Sequence, residues 1–173
     1  MSTSTEEHKR EAPARVRCLI VTVSDTRTPE TDKSGALIRQ LLEEHGHPVT
    51  GHRIVPDEYE MISALLCEAA DDASVEAVLL NGGTGIAKRD VTVEAVRAAL
   101  DKELPGFGEI FRYLSFAEDI GSAAILSRAV AGTIGSKAVF AMPGSTGAVR
   151  LAMTRLILPE LGHVMREIYK DRK

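Results

Sequence analysis

The segment Leu79-Leu80-Asn81-Gly82-Gly83-Thr84-Gly85-Ile86-Ala87-Lys88-Arg89-Asp90 carries the residue types best suited to chemistry in this chain. The apolar run Ala77 to Leu80 reads as a buried strand, three glycines follow it, and a helix opens at Thr92. Glycines at such a junction let backbone N–H groups approach an anion, because no side chain holds the ligand away. Lys88, Arg89 and Asp90 beside them suit a phosphate and its metal ion. The expected ligand is a phosphorylated substrate. The same glycines would also serve as a plain tight turn between strand and helix.

Two nucleotide-binding motifs nearly fit here and fail. The P-loop pattern requires a glycine before its lysine and a hydroxyl residue after it; Lys88 follows Ala87 and precedes Arg89. A dinucleotide fingerprint beginning at Gly83-Thr84-Gly85 has Lys88 in its third glycine position, and no acidic residue on a following strand is placed for a ribose.

Further candidate groups follow other apolar runs. Asp57, in Pro56-Asp57-Glu58, and Asp90 form a pair of carboxylates for Mg²⁺ bound to ATP, with Lys88 or Arg89 assisting on the phosphates. Each is also a natural acid for the start of the helix that follows it. Ser24 and Asp25 stand after a strand and are equally good loop residues. Pro143-Gly144-Ser145 offers a second anion site, or an N-cap at Ser145. Arg128 and Arg150 are ordinary surface arginines unless an anionic ligand faces them.

The elements that must position these residues alternate. Val16–Val23 reads as a central strand, followed by a helix capped at Asp32 or Lys33-Ser34 and ended by Gly46. Val49–Val55 is a second strand, followed by a helix carrying Ile62, Leu65, Leu66 and Ala69. The strand at Ala77–Leu80 leads to a helix from Thr92 to Leu100. A break at Pro105-Gly106, a segment Phe107–Phe116 and a helix over Ala123–Val130 come next. Ser136–Met142 is another strand, and two helices end the chain, one reaching Leu158 and one over Leu161–Tyr169. The pattern predicts an α/β fold: three layers, with a mainly parallel, mixed central sheet and helices on both faces. Ligands bind such sheets beyond the carboxyl ends of the strands. The four polar loops are therefore expected to meet there.

Composition narrows the function classes. The 173 residues suit one domain, 16–173, preceded by a polar tail, 1–15, expected to be disordered and unlike a secretory signal. A formal charge of −4 and the absence of Trp argue against a nucleic-acid partner. No apolar run approaches a membrane span. Cys18 and Cys67 are expected to be free, buried thiols in a reducing cytosol. The cluster His45, His47 and His52 lacks further ligands nearby in sequence and is read as non-metal.

Thr22-Val23-Ser24-Asp25, Val55-Pro56-Asp57-Glu58, Gly82-Gly83-Thr84-Gly85 with Arg89-Asp90-Val91-Thr92, Pro105-Gly106-Phe107-Gly108-Glu109, Leu126-Ser127-Arg128 and Met142-Pro143-Gly144-Ser145 occur in that order. Together they resemble the MoaB/MogA family of molybdenum cofactor biosynthesis proteins, related to the G domains of gephyrin and its plant counterpart, over about Val16 to Leu161. The resemblance implies an adenylyltransferase that binds molybdopterin and Mg-ATP, forms adenylylated molybdopterin and releases pyrophosphate. Metal insertion, whether of molybdenum or of tungsten, then falls to another protein that takes the product over.

The same resemblance places functional acids at Asp57 and Asp90, and the nucleotide and pterin phosphate region at Gly82, Gly83, Thr84 and Gly85. It brings in Ser115, at a position linked to pterin binding, together with Ser127 and Arg128. It implies a homotrimer or a hexamer of two trimers. Some MoaB-type proteins lack one or both acids; this chain has both. A non-catalytic molybdopterin-binding paralogue is the competing expectation.

Overall fold

The computed structural model describes residues 12–171. Six strands form one sheet: β1 (Cys18–Val23), β2 (Val49–Val55), β3 (Ala77–Asn81), β4 (Lys102–Glu103), β5 (Val130–Ile134) and β6 (Lys137–Met142), in the order β2-β1-β3-β6-β5-β4. The first four in that order are parallel; β5 and β4 are antiparallel additions at one edge. The helices are α1 (Lys33–Glu44), α2 (Tyr59–Asp71), α3 (Thr92–Ala99), α4 (Pro105–Glu118), α5 (Thr146–Ala152) and α6 (Leu158–Tyr169).

Strand periodicity divides the core into two halves. Cys18 and Ile20 of β1 point to one face, with Leu79 of β3 and Phe140 of β6, and are covered by α1, α4, α5 and α6. Leu19, Val21 and Val23 point to the other face, with Leu80 and Val139, and are covered by α2 and α3. Strands buried on both sides explain the uninterrupted apolar runs. The chain steps from β1 outward to β2 and then back across β1 to β3, so the direction of winding reverses between β1 and β3. The crevice in which sheets of this topology bind ligands falls at that switch point, beyond the carboxyl ends of these strands.

Several local readings change. The segment expected as a helix over Ala123–Val130 is a 3₁₀ turn, Gly121–Leu126, followed by β5. A two-residue connection, Gly135-Ser136, joins β5 to β6, with Gly135 at φ +54, the conformation glycine supplies to a hairpin. Pro105 does not break the chain: it occupies the first turn of α4, where a missing N–H costs nothing. The two C-terminal helices are continuous through a π turn, Met153–Ile157, placed just before Pro159. Proline removes one rung and crowds the carbonyl four residues back, and the wider turn absorbs both.

Cys18 is buried as expected, and burial pushes its thiol pKa up to about 12, but Cys67 is exposed on α2. Asp32 caps α1, accepting from Gly35 N at 3.0 Å. Of the expected tail, residues 1–11 lie outside the described residues. Residues 12–15 have no regular structure, and the Pro13 carbonyl packs over Gly162 of α6. Among the described residues no helix is long and apolar enough to cross a membrane, and no group of three metal-ligating side chains occurs.

Candidate functional site

The loops after β1, β2, β3 and β6 meet at the switch point. Gly82 turns at φ +97 with its α-carbon against the Val23 carbonyl, an approach that excludes any side chain. Its N–H donates to the Met142 carbonyl at 3.1 Å, which draws the β6 loop alongside. A Cβ added at Gly144 would stand 3.1 Å from the Gly82 α-carbon, so the two glycine loops touch backbone to backbone.

The two candidate acids flank the β3 loop. The Asp57 carboxylate lies over Gly83: a Cβ there would stand 2.8 and 2.9 Å from its oxygens. Asp57 Oδ1 accepts from Val91 N at 3.3 Å, so this acid serves the amino end of α3, whereas α2 starts after Glu58 without a side-chain cap. Burial pushes the Asp57 pKa up, and the nearby Asp90 and Asp25 carboxylates push it the same way; the Val91 N–H and Arg89 only partly oppose them. Asp90 is not the helix cap either. Its Oδ2 accepts from Ala87 N at 2.8 Å, closing the turn that contains Lys88 and Arg89. Gly85 sits under that carboxylate, 2.6 Å from Oδ2 if it carried a Cβ.

Charged side chains tie the loops together. Asp25 is held by Arg89 through Nε and, at 2.9 Å, through Nη2, and it accepts from Asp57 N at 3.1 Å. The Arg89 bonds, followed by the Asp57 N–H, hold the Asp25 carboxyl down to about 2. Arg128 donates to the carbonyls of Thr84 (3.2 Å) and Asp90 (3.0 Å) and pairs with Glu94 of α3. Lys88 is exposed in the same loop. Ser24 Oγ accepts from the N–H groups of Thr26 and Arg27, both at 3.2 Å, which shapes its own loop. Ser145 caps α5 by accepting from Ala148 N at 3.2 Å. Pro143 and Gly144 form the turn before it.

Two candidates stand apart from this hydrogen-bonded cluster. Ser115 is buried within α4, not on a helix surface, and among the described residues no side-chain hydrogen bond links it to the loops. Ser127 ends the 3₁₀ turn, its hydroxyl buried without a partner among the described residues. Of the three clustered histidines, His47 accepts from Val16 N at 3.1 Å, and His45 contacts the Leu41 carbonyl at 2.8 Å.

His52 belongs to a network beneath the crevice that residue spacing does not reveal. Its Nε2 lies 2.9 Å from Asp32 Oδ2, and Asp32 also accepts from the Thr22 hydroxyl at 2.5 Å. Arg27 reaches Ser34, Asp32 (3.4 Å), Asn81 Oδ1 (3.4 Å) and the Gly144 carbonyl (2.8 Å), bridging the ends of β1, β3 and β6. The one available signal was Asn81, a polar residue completing an apolar strand. It is fully buried and donates to the Val21 carbonyl and Thr22 Oγ1.

Fold and site together define an α/β domain with a glycine-rich loop at its switch point and two carboxylates packed against that loop. The family model described as a probable molybdopterin binding domain matches residues 19–163. The chain belongs to the MoaB/MogA family of molybdenum cofactor biosynthesis proteins. It is 69% identical to molybdenum cofactor biosynthesis protein B of Halalkalibacterium halodurans, over 98% of this chain and 99% of that one. A crystal structure of a molybdenum cofactor biosynthesis protein B matches with a TM-score of 0.90 at 61% identity, covering 93% of this chain and all of the other. The tungsten cofactor synthesizing protein MoaB from Pyrococcus furiosus matches at 0.81 and 36% identity, covering 91% of this chain and 99% of its own.

Proposed function

We propose that this protein acts in molybdenum cofactor biosynthesis by adenylylating molybdopterin with Mg-ATP. The observation that carries the reading is the placement of Asp57 and Asp90 on either side of the Gly82–Gly85 loop, over the bare α-carbons of Gly83 and Gly85. The missing side chains let both carboxylates close onto one loop, which brings the two acids to the same place. Two carboxylates there suit Mg²⁺, which takes one or two acids and completes its shell with phosphate oxygens and water. When bound, the ion would neutralise charge developing on the phosphates of ATP.

The chain's own residues divide the remaining work. Lys88, exposed in the loop, and Arg89, tethered to Asp25, provide cations for the leaving pyrophosphate. Arg128 keeps the loop in shape by holding its carbonyls at Thr84 and Asp90. Arg27 and the Pro143-Gly144-Ser145 turn close the β6 side of the crevice; Ser24, Ser115 and Ser127 are the remaining candidates for the pterin. Adenylylated molybdopterin then passes to a metal-insertion protein, and the work is done in the cytoplasm.

We further assign the homo-oligomer contact to the outer side of α4 and the 3₁₀ turn. Ile110, Tyr113, Phe116, Ile120, Ile125 and Leu126 are all exposed there, and Ile125 is 82% exposed. Such a concentration of apolar side chains suits contact with copies of the chain in a trimer or hexamer.

The test incubates the protein with molybdopterin, ATP and Mg²⁺ and follows pyrophosphate together with adenylylated pterin. Turnover that requires all three supports the adenylyltransferase. Tight pterin binding without turnover would make the protein an accessory paralogue.

A further inference from the structure

Thr92 opens α3 and is fully buried, yet its hydroxyl has no hydrogen-bond partner among the described residues. Buried hydroxyls are nearly always paired, so an orphan one beside a ligand site calls for an explanation. The backbone around it is satisfied: Thr92 N donates to the Gly83 carbonyl at 3.0 Å. The side chain is aimed at a definite place. A Cβ built on Gly83 would overlap Thr92 Oγ1 and stand 2.8 and 2.9 Å from the Asp57 oxygens, so the hydroxyl and the carboxylate converge on one point above Gly83. Asp57 meanwhile makes one long bond, 3.3 Å, to Val91 N. A carboxylate has room for several donors, and this one lacks a donor on the side of an idle hydroxyl.

We propose that Thr92 is the positioning residue for Asp57. Its hydroxyl donates to the Asp57 carboxylate when Mg-ATP occupies the crevice, fixing one oxygen and leaving the other turned to the ligand. The inference rests on the adenylyltransferase reading above. It accounts for a threonine at the first position of α3: valine would fill the same space without a donor, and a larger side chain would displace Gly83 or Asp57. In the unliganded protein the hydroxyl is spare, so its removal should not weaken the fold. In the loaded protein it bonds a charged group, and its loss should cost on the order of tenfold in rate.

The experiment compares Thr92→Val and Thr92→Ser with the wild type. Thermal midpoints are measured without ligand and with Mg-ATP, and kcat and KM for Mg-ATP are measured at saturating molybdopterin. The expected result for Thr92→Val is an unliganded midpoint at or above wild type, a smaller Mg-ATP-induced rise with a correspondingly raised KM for Mg-ATP, and kcat lowered about tenfold. Thr92→Ser, which keeps the hydroxyl, should recover most of kcat. Wild-type kcat in Thr92→Val overturns the proposal. So does an unliganded midpoint that falls with valine and returns with serine, which would mark an ordinary structural hydrogen bond. A wild type that turns over beside an unaltered Thr92→Val sinks the role of Thr92 alone. A wild type that neither turns over nor gains stability from Mg-ATP sinks the adenylyltransferase reading together with it.

Discussion

The Asp57 carboxylate rests on the α-carbon of Gly83, with one oxygen 2.8 Å and the other 2.9 Å from where a methyl group would be. Gly83 is at φ +63, so a side chain there faces both an unfavourable backbone region and two polar groups already in place. Gly83→Ala should destabilise the protein by about 1–3 kcal/mol and abolish detectable Mg-ATP binding. Urea unfolding and calorimetric titration measure the two effects.

Asp57→Asn should separate stability from activity. The raised pKa of Asp57 means that the fold disfavours the ionised acid, first through burial and then through Asp90 and Asp25. At neutral pH the wild type carries that cost and the amide does not, so the variant should be the more stable. Because the folded-state pKa lies above the unfolded one, the advantage should shrink as pH falls through the folded value towards the ordinary carboxylate range. Adenylylation should fall about a hundredfold or more. Equal activity in the two proteins would remove Asp57 from the reaction.

Arg128→Met should loosen the glycine loop. It deletes the donors to the Thr84 and Asp90 carbonyls and the pairing with Glu94. A loss of about 1–3 kcal/mol is expected, with a raised KM for ATP. Arg128→Lys should recover only part, since one ammonium lacks the forked reach of a guanidinium.

Away from the site, Glu76 accepts from Arg17 N (2.9 Å), Arg17 Nε (3.2 Å) and the Tyr169 hydroxyl (3.0 Å), pinning the end of α6 beside β3. Burial alone would raise its pKa, but these donors outweigh burial and hold it below the usual value. Its stabilisation is therefore complete above the unfolded pKa and disappears as pH falls through the lower folded one. Glu76→Gln should cost about 1–3 kcal/mol at pH 7 and little once both states are protonated. Unfolding curves at the two extremes decide it.

Replacing Tyr113 and Phe116 with glutamate should lower the molar mass in solution, since both are exposed on the outer side of α4, 67% and 59% respectively. Light scattering on the eluting peak measures it. An unchanged mass would move the oligomer contact elsewhere.

Much of this architecture was legible in the sequence because its strands are buried on both faces. Val16–Val23, Ala77–Leu80 and Ser136–Met142 need no alternation, and each ends in polar residues at the edge where ligands gather. β5 was harder to see. Gly132 lies against the Lys102 carbonyl and Leu100, so the strand is short, interrupted by glycine and paired antiparallel at the sheet edge. Its clearest mark was the Gly135-Ser136 turn.

The residue types gathered at this sheet edge, three glycines, two acids and a pair of cations, can be read in the sequence because they stand directly after apolar strand runs. Which groups face each other was decided by tertiary structure. Asp57 serves α3 instead of its own helix, Asp25 holds Arg89 from 64 positions away, and Arg27 reaches Gly144 across 117. The physical reason is the crossover topology. Parallel strands bring the ends of distant segments to one edge, and hydrogen bonds between those ends depend on sheet order, which no local pattern of residues encodes.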